Sequence, residues 1–386
     1  MPTPKKIGPT EVQIVAVLTA QGLRQEEIAE LLGISQSGVS RAVREAKKDG
    51  ILVQKMMCTL PRKRRMELAV KAHCDDLLDR LVAIQDPNKR HLKELWIVDV
   101  GSEATKKPGA KGYEDRVRGF SKKVAAHLVH ESFDRVRSIG WTWGITLHHI
   151  VQSLVDDHAD EAGMRSADPI LSFPVSGNPP PGCDNVLRNP AILAERFNAW
   201  INGDNGRSEI YSNAPASLPH GFDGDRGRTL REYFESHESY VRIFKGEHPL
   251  IGSVDTMLTS AGNACRIEDP WVAAAAHEAD MDPSTLEQWT HGNLGGTFLE
   301  KKDAPDDKKE EIDGVNGRWL GVTTEHFEAC AARAAADENL SGVILAASGN
   351  KKEIAIEAVR RSLVSTLYVD QDLAHQISKA LEQEAS

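Results

Sequence analysis

With 386 residues, 40% apolar and 27% charged, the chain has the composition of an ordinary globular protein of two or three domains, which excludes wholesale disorder. No apolar run approaches the roughly 20 residues of a membrane helix, and five scattered cysteines without a C-x-x-C pair offer neither a disulfide framework nor a zinc site. The net charge of −10 is uneven: residues 1–65 hold 12 basic against 6 acidic side chains and the remainder 35 against 51, so only a small basic head suits a polyanion.

The N-terminal Lys5-Lys6 leads into no apolar signal segment, and the unpaired cysteines fit a reducing compartment, so a cytoplasmic location is expected. Pro9-Thr10 reads as a helix start with Thr10 as cap, and Val12, Ile14, Val15, Val17 and Leu18 as the apolar side. A second helix is expected from about Arg24 to Leu32, with Ile28, Ala29, Leu31 and Leu32 inward. Gly33 then permits a left-handed turn, Ser35 caps, and residues 36–48 supply a third helix buried through Val39, Ala42, Val43 and Ala46.

This string, from Gln25 to Arg41, closely resembles a DNA-binding helix-turn-helix. The last helix would present Gln36, Ser37, Ser40, Arg41 and Arg44 outward, and Gln and Arg are the side chains that read adenine and guanine edges bidentately. Lys47, Lys48 and Lys55 suit phosphates, which position without specifying. A helical hairpin used for protein contacts is the alternative. The basic run 62–65 either tracks the DNA backbone or is a solvated helix start. An amphipathic helix from Met66 to Ile84 is expected to link and dimerise, and Asp86-Pro87-Asn88 marks a boundary near residue 88.

Beyond it the pattern is that of an α/β domain. Trp96–Val100 reads as a buried strand, Tyr113–Leu128 as a helix, and Arg135–Ile139 as a strand entering Gly140-Trp141-Thr142-Trp143-Gly144-Ile145-Thr146, which opens a helix through Leu154. Strand, Gly/Thr-rich turn and helix form a recurrent anion-binding device, although a plain tight turn reads the same way. Further apolar segments run from Leu171 to Gly177, Val254 to Gly262, His291 to Phe298 and Gly342 to Lys352. The last enters a Gly/Lys turn and a helix over 353–361, and a final strand covers 367–370.

Together with the helix-turn-helix, this order resembles the SorC/DeoR-type family of sugar-responsive transcription regulators, most strongly over residues 24–52, 138–150 and 342–377. The resemblance implies a winged helix-turn-helix head over residues 1–60, a linker or dimerisation helix over 61–88, and a Rossmann-like effector domain over 89–386 similar to phosphosugar isomerases. It implies a regulator of sugar or polyol metabolism that acts on a double-stranded DNA operator under control of a phosphorylated sugar or polyol, as a cytoplasmic homodimer or homotetramer without cofactor or membrane contact.

By the same resemblance, Gly140, Thr142, Gly144 and Thr146 form the phosphate loop with Trp143, Lys352 pairs with phosphate, and Asp255 and Asp370 accept sugar hydroxyls. Asn293 stands where the family carries Asp, which removes a charge beside the sugar. A ligand-independent DNA-binding protein, or a sugar-phosphate isomerase or deaminase using Asp255 or Asp370, are the competing readings. Residues 178–230 read as an enlarged loop and 300–313 as a charged surface loop. The pairs His127/His130 and His148/His149 lack a third metal ligand nearby and are expected at the surface or as caps.

Overall fold

The computed structural model describes residues 9–20, 23–49, 51, 75–100, 112–131, 133, 136–163, 168–178, 189–203, 215–222, 224–263 and 270–384. Its contacts divide the chain into two units, Met1–Asp79 and Arg80–Ser386. The basic run 62–65, Lys55, the expected wing and the first half of the expected linker helix lie outside the described residues; residues 75–83 are helical.

The head is a three-helix cluster of α1 (Pro9–Ala20), α2 (Gln25–Leu32) and α3 (Gln36–Lys48). Its core is Val12, Val15, Ala16, Leu18, Ile28, Val39, Ala42, Val43 and Ala46, so the apolar periodicity of the sequence is the packed face. Of the inward positions expected on α2, only Ile28 is fully covered; Ala29, Leu31 and Leu32 are half-buried at its margin. Thr10 is not the cap of α1, because Pro9 is already helical. Gly33 does adopt the left-handed conformation (φ 59°), and Ile34 N donates to Ala29 O at 3.1 Å, which turns the chain between α2 and α3. Ser35 caps α3 through Gly38 N.

The larger unit is built on a parallel sheet of order β1-β8-β7-β4-β2-β3. The strands are β1 (Glu94–Val98), β2 (Ser138–Trp141), β3 (Leu171–Pro174), β4 (Thr256–Gly262), β7 (Gly342–Ala347) and β8 (Thr366–Asp370). Every residue of β7 and β8 is buried, as expected for strands covered by helices on both faces. A hairpin of β5 (Thr290–Leu294) and β6 (Thr297–Glu300) extends the carboxyl end of β4, with Ala261 opposite Leu294. Its two-residue turn, Gly295-Gly296, needs positive φ at both positions and has it (59° and 111°).

Between sheet and helices lie Phe120, Leu128, Ile139, Trp141, Ile150, Phe197 and Ile344 among others. Trp141 packs on Phe197 with ring centroids 5.1 Å apart, and its indole N–H donates to Ser172 Oγ at 3.0 Å, so the large polar aromatic is buried with its donor satisfied.

Several expected elements differ. β1 sits two residues earlier than expected. The stretch 300–313 is not a surface loop: after β6 it enters the helix Asp306–Arg318, anchored by buried Ile312 and Val315. Residues 178–230 are not all loop: they include the helix Pro190–Asn202, held by eight buried residues, and the start of the helix Gly224–Glu235. His127, His148 and His149 are buried rather than superficial. His127 Nδ1 meets the Tyr368 hydroxyl at 2.6 Å.

Candidate functional site

On the head, α3 turns its buried stripe inward and leaves Gln36, Ser37, Arg41, Arg44 and Lys47 exposed, with Ser40 half-buried between them. Two of these side chains are already oriented. Gln36 Nε2 donates to Glu26 Oε1 at 2.8 Å, and Ser40 Oγ donates to Gln25 Oε1 at 2.8 Å, tying the face of α3 to the start of α2. Arg41, Arg44 and Lys47 make no ion pair among the described residues, so three cations stand ready for an anionic partner.

In the larger unit, β2 is followed by a neighbour on each side, β3 and then β4. This is the topological switch point, and in open α/β sheets ligands bind outside the carboxyl ends of the strands there. The residues at that edge are Thr142, Trp143 and Gly144 after β2, Thr259 and Ser260 in the second half of β4, and Ser348 and Gly349 after β7. Thr142 Oγ1 lies 3.1 Å from Thr259 Oγ1, and Ser260 Oγ donates to Trp143 O at 3.2 Å, joining the loop after β2 to β4. Gly144 has φ 140°, and a Cβ there would lie 2.4 Å from Ser260 Oγ, so no larger residue fits this approach.

Two helices begin at this edge, Ile145–Asp157 and Lys352–Arg360. Their first intrahelical bonds run from His148 N to Gly144 O and from Ala355 N to Lys351 O, so the N–H groups of the first turn face outward from each helix. Thr146 Oγ1 and Ser348 Oγ are both buried without a hydrogen-bond partner. Such orphans cost stability unless a ligand or solvent satisfies them, and they cluster at functional sites. Lys352 is half-buried and forms no ion pair among the described residues. Trp143, also half-buried, meets the edge of Trp271 at 5.4 Å and forms an apolar wall beside the loop.

Four sequence-predicted residues do not join this group. Gly140 lies within β2, where a Cβ would clash with Val175 Cγ1 at 2.6 Å; the loop begins at Thr142. Asp255 precedes β4 at the opposite edge of the sheet, about 16 Å of strand from Ser260, and its Oδ2 accepts from Arg137 N and Ser138 N. Asp370 does end β8 at the correct edge but has no exposed surface. Its oxygens accept from Arg116, Gly349 N and Leu373 N, which leaves it no role as a sugar acceptor. Asn293 lies in β5, 5% exposed and paired across to Gly262 and Phe298.

Sequence reading missed Ser348, whose signal is a hydroxyl residue directly after an apolar strand, and Arg116, which carries no local signal because its partners lie some 254 residues away. Burial alone would lower the Arg116 pKa, and its hydrogen bonds to Asp370 and Asp372 outweigh this, holding the guanidinium charge more firmly than usual.

Residues 6–56 match the MarR family. Among solved structures, the full-length sorbitol operon regulator SorC from Klebsiella pneumoniae is similar with a TM-score of 0.53 and 18% identity, covering 95% of this chain and 97% of that one. The chain has the SorC fold. A probable sor operon regulator from Shigella flexneri follows at TM-score 0.51 and 14% identity, covering 78% of this chain and 97% of that one. A transcriptional regulator from Streptococcus pneumoniae gives 0.51 and 15%, covering 81% and all of that chain. No curated protein matches the chain by sequence. At these identities the likeness is one of fold, and within the SorC fold the chemistry rests on this chain's own residues.

Proposed function

We propose that the chain is a DNA-binding transcription regulator whose larger unit binds a small phosphorylated sugar or polyol at the carboxyl edge of the sheet. One observation carries the reading. Two helix N-termini, a lysine without an ion pair among the described residues, and two buried hydroxyls without partners gather where an α/β sheet binds its ligands. Oriented N–H groups and a point positive charge suit a phosphate, and the hydroxyls suit a polyhydroxylated ligand. The SorC fold supports it, since the Klebsiella protein of that fold regulates a sorbitol operon.

In this reading Gln36, Ser37, Ser40, Arg41, Arg44 and Lys47 face the operator. Thr142, Trp143, Gly144, Thr146 and Lys352 hold the effector, joined by Ser348, while Gly140, Asp255, Asn293 and Asp370 serve the fold around it. Binding rather than turnover is favoured, because Asp370 is neutralised by Arg116 and Asp255 lies at the far edge, so neither supplies the general base an isomerisation needs. The protein is read as a cytoplasmic homodimer or homotetramer, because two heads grip two half-sites one helical turn apart. Among the described residues no helix is long and apolar enough to cross a membrane.

The test is fluorescence anisotropy of the purified protein on its own upstream DNA, at fixed salt and competitor, with and without a pool of sugar and polyol phosphates. A competitor-resistant complex that shifts with the pool is expected. A tight complex indifferent to every member would retain the DNA-binding role and discard the phosphosugar.

A further inference from the structure

The helix Lys352–Arg360 begins at the carboxyl edge of the sheet with Lys352 and, because it must return the chain to β8, ends at the amino edge. Its nine residues span about 13 Å. At the far end it closes in a Schellman arrangement: Leu363 N donates to Ala358 O at 2.9 Å and Ser362 N to Val359 O at 2.8 Å. The residue in the left-handed position of that motif is ordinarily glycine. Here it is Ser362, at φ 60° and 1% exposed. A side chain there is strained, and such strain persists only where the surroundings hold it.

What holds it is the stretch through which the chain leaves this unit toward the head in sequence. Gln85 Nε2 donates to Val359 O at 3.1 Å and to Ser362 Oγ at 3.4 Å. His91 Nδ1 donates to Ser362 O at 2.8 Å, and Ser362 Oγ donates to Lys89 O at 2.5 Å. Gln85 and His91 are themselves buried, and Gln85 Oε1 accepts from Leu92 N. Glycine would relieve the strain, but it has no hydroxyl to join Lys89 and Gln85. The helix between the two ends is stiffened in its last turn by Glu357, which accepts from both Arg360 and Arg361, while Arg361 also reaches Glu300 on β6.

We propose that this helix is the coupling element of the regulator, with Ser362 as the clasp that joins it to residues 85–91. The proposal rests on reading the carboxyl edge as the effector site. A phosphate drawn to the helix N-terminus and Lys352 pulls on a rigid rod whose other end is bonded to the connector. Packed contacts of this kind respond by shifting as a unit rather than by bending. The coupling is reciprocal: loosening the connector loosens the start of the helix.

Reciprocity gives a test that needs no effector. Amide hydrogen exchange is measured on the full chain for wild type, Ser362→Gly, Gln85→Ala and Ser362→Asn. Ser378→Ala serves as a control that loosens Arg80 on a different helix. Ser362→Gly is expected to speed exchange severalfold over residues 85–92 and also over 349–354, with the β2 loop, 142–147, unchanged. Gln85→Ala should do the same more weakly, and it stands in if the first variant folds poorly. Ser362→Asn, which tolerates the left-handed conformation and keeps a hydrogen-bonding side chain, should restore wild-type rates. The control should leave 349–354 untouched.

Unchanged exchange over 349–354 in both Ser362→Gly and Gln85→Ala overturns the coupling. Inorganic phosphate added to wild type examines the effector reading separately, by slowing exchange at 145–147 and 352–354. Loss of that protection with the Ser362 effect intact overturns the phosphate site and keeps the coupling.

Discussion

Arg116 grips Asp370 through two nitrogens, Nη2 to Oδ1 at 2.6 Å and Nε to Oδ2 at 3.2 Å, with the two side chains 2% and 0% exposed. The pair ties the helix Tyr113–Glu131 to the end of β8, and through Gly349 N to the loop that precedes Lys352. Removing one member of a buried pair typically costs about 3–5 kcal/mol, and here Arg116 would keep only the more exposed Asp372, 2.9 Å from its Nη1, as a partner. Asp370→Asn is therefore expected to destabilise the larger unit in urea unfolding, by about 3 kcal/mol or less because Asp372 still pairs with Arg116. A sugar-binding carboxylate would behave differently: stability would hold and only the effector response would change.

Most of the frame was legible because the signals are local. The helix-turn-helix reads from periodicity, Gly33 and Ser35, and the strand-turn-helix units around 138–150 and 342–361 read from short apolar runs ending in glycine. Residues argued from strand order were not legible. Asp255 and Asp370 look alike in sequence, one before a strand and one at the end of another, and only the sheet places them on opposite edges. Gly140 looked like part of the loop because a glycine packed against Val175 and a glycine in a turn are the same letter. The helix Pro190–Asn202 was hidden behind the Pro- and Gly-rich sequence that precedes it, although Asn189 caps it and Pro190 opens it.

On the head, Arg41 and Arg44 are exposed and make no ion pair among the described residues, whereas Gln36 and Ser40 are oriented by α2. Arg41→Ala or Arg44→Ala should weaken operator binding by roughly 1–3 kcal/mol and relax preference at one base position, if a guanine is read. Lys47→Ala should weaken binding on all sequences alike and flatten the salt dependence, as loss of a phosphate contact does. Salt-titrated anisotropy with a panel of single-base variants separates the two. Unchanged affinity in both arginine variants would remove α3 from the interface.

At the carboxyl edge, Lys352→Ala should abolish the response to the sugar-phosphate pool while the unliganded protein binds DNA as before, since Lys352 has no ion pair among the described residues to lose. Gly144→Ala should do more harm. Its φ of 140° is unfavourable for alanine, and the added carbon meets Ser260 Oγ at 2.4 Å, within the contact that joins the β2 loop to β4. Lost response together with a lowered unfolding midpoint is expected. A response that survives Lys352→Ala would show that this lysine does not hold the phosphate.

The helix Thr324–Ala336 carries an unusual cap whose strength depends on pH. Thr323 N donates to His326 Nδ1 at 3.1 Å, so the ring must keep a lone pair on that nitrogen, in the place where Glu or Gln completes a capping box. Burial disfavours the imidazolium and lowers the His326 pKa below its ordinary value of about 6.5, against the opposing pull of Glu325. The folded state then binds fewer protons than the unfolded one, so stability rises with pH. This contribution is complete above the unfolded value and is lost as pH falls from about 6.5 through the folded pKa. His291 acts in the same direction, its pKa lowered by burial although Glu357 opposes it. His326→Gln retains the acceptor and removes the titration, so it should shrink the loss of stability in chemical unfolding between pH 7 and pH 5.5. A slope equal to wild type would mean that the cap does not titrate in this window.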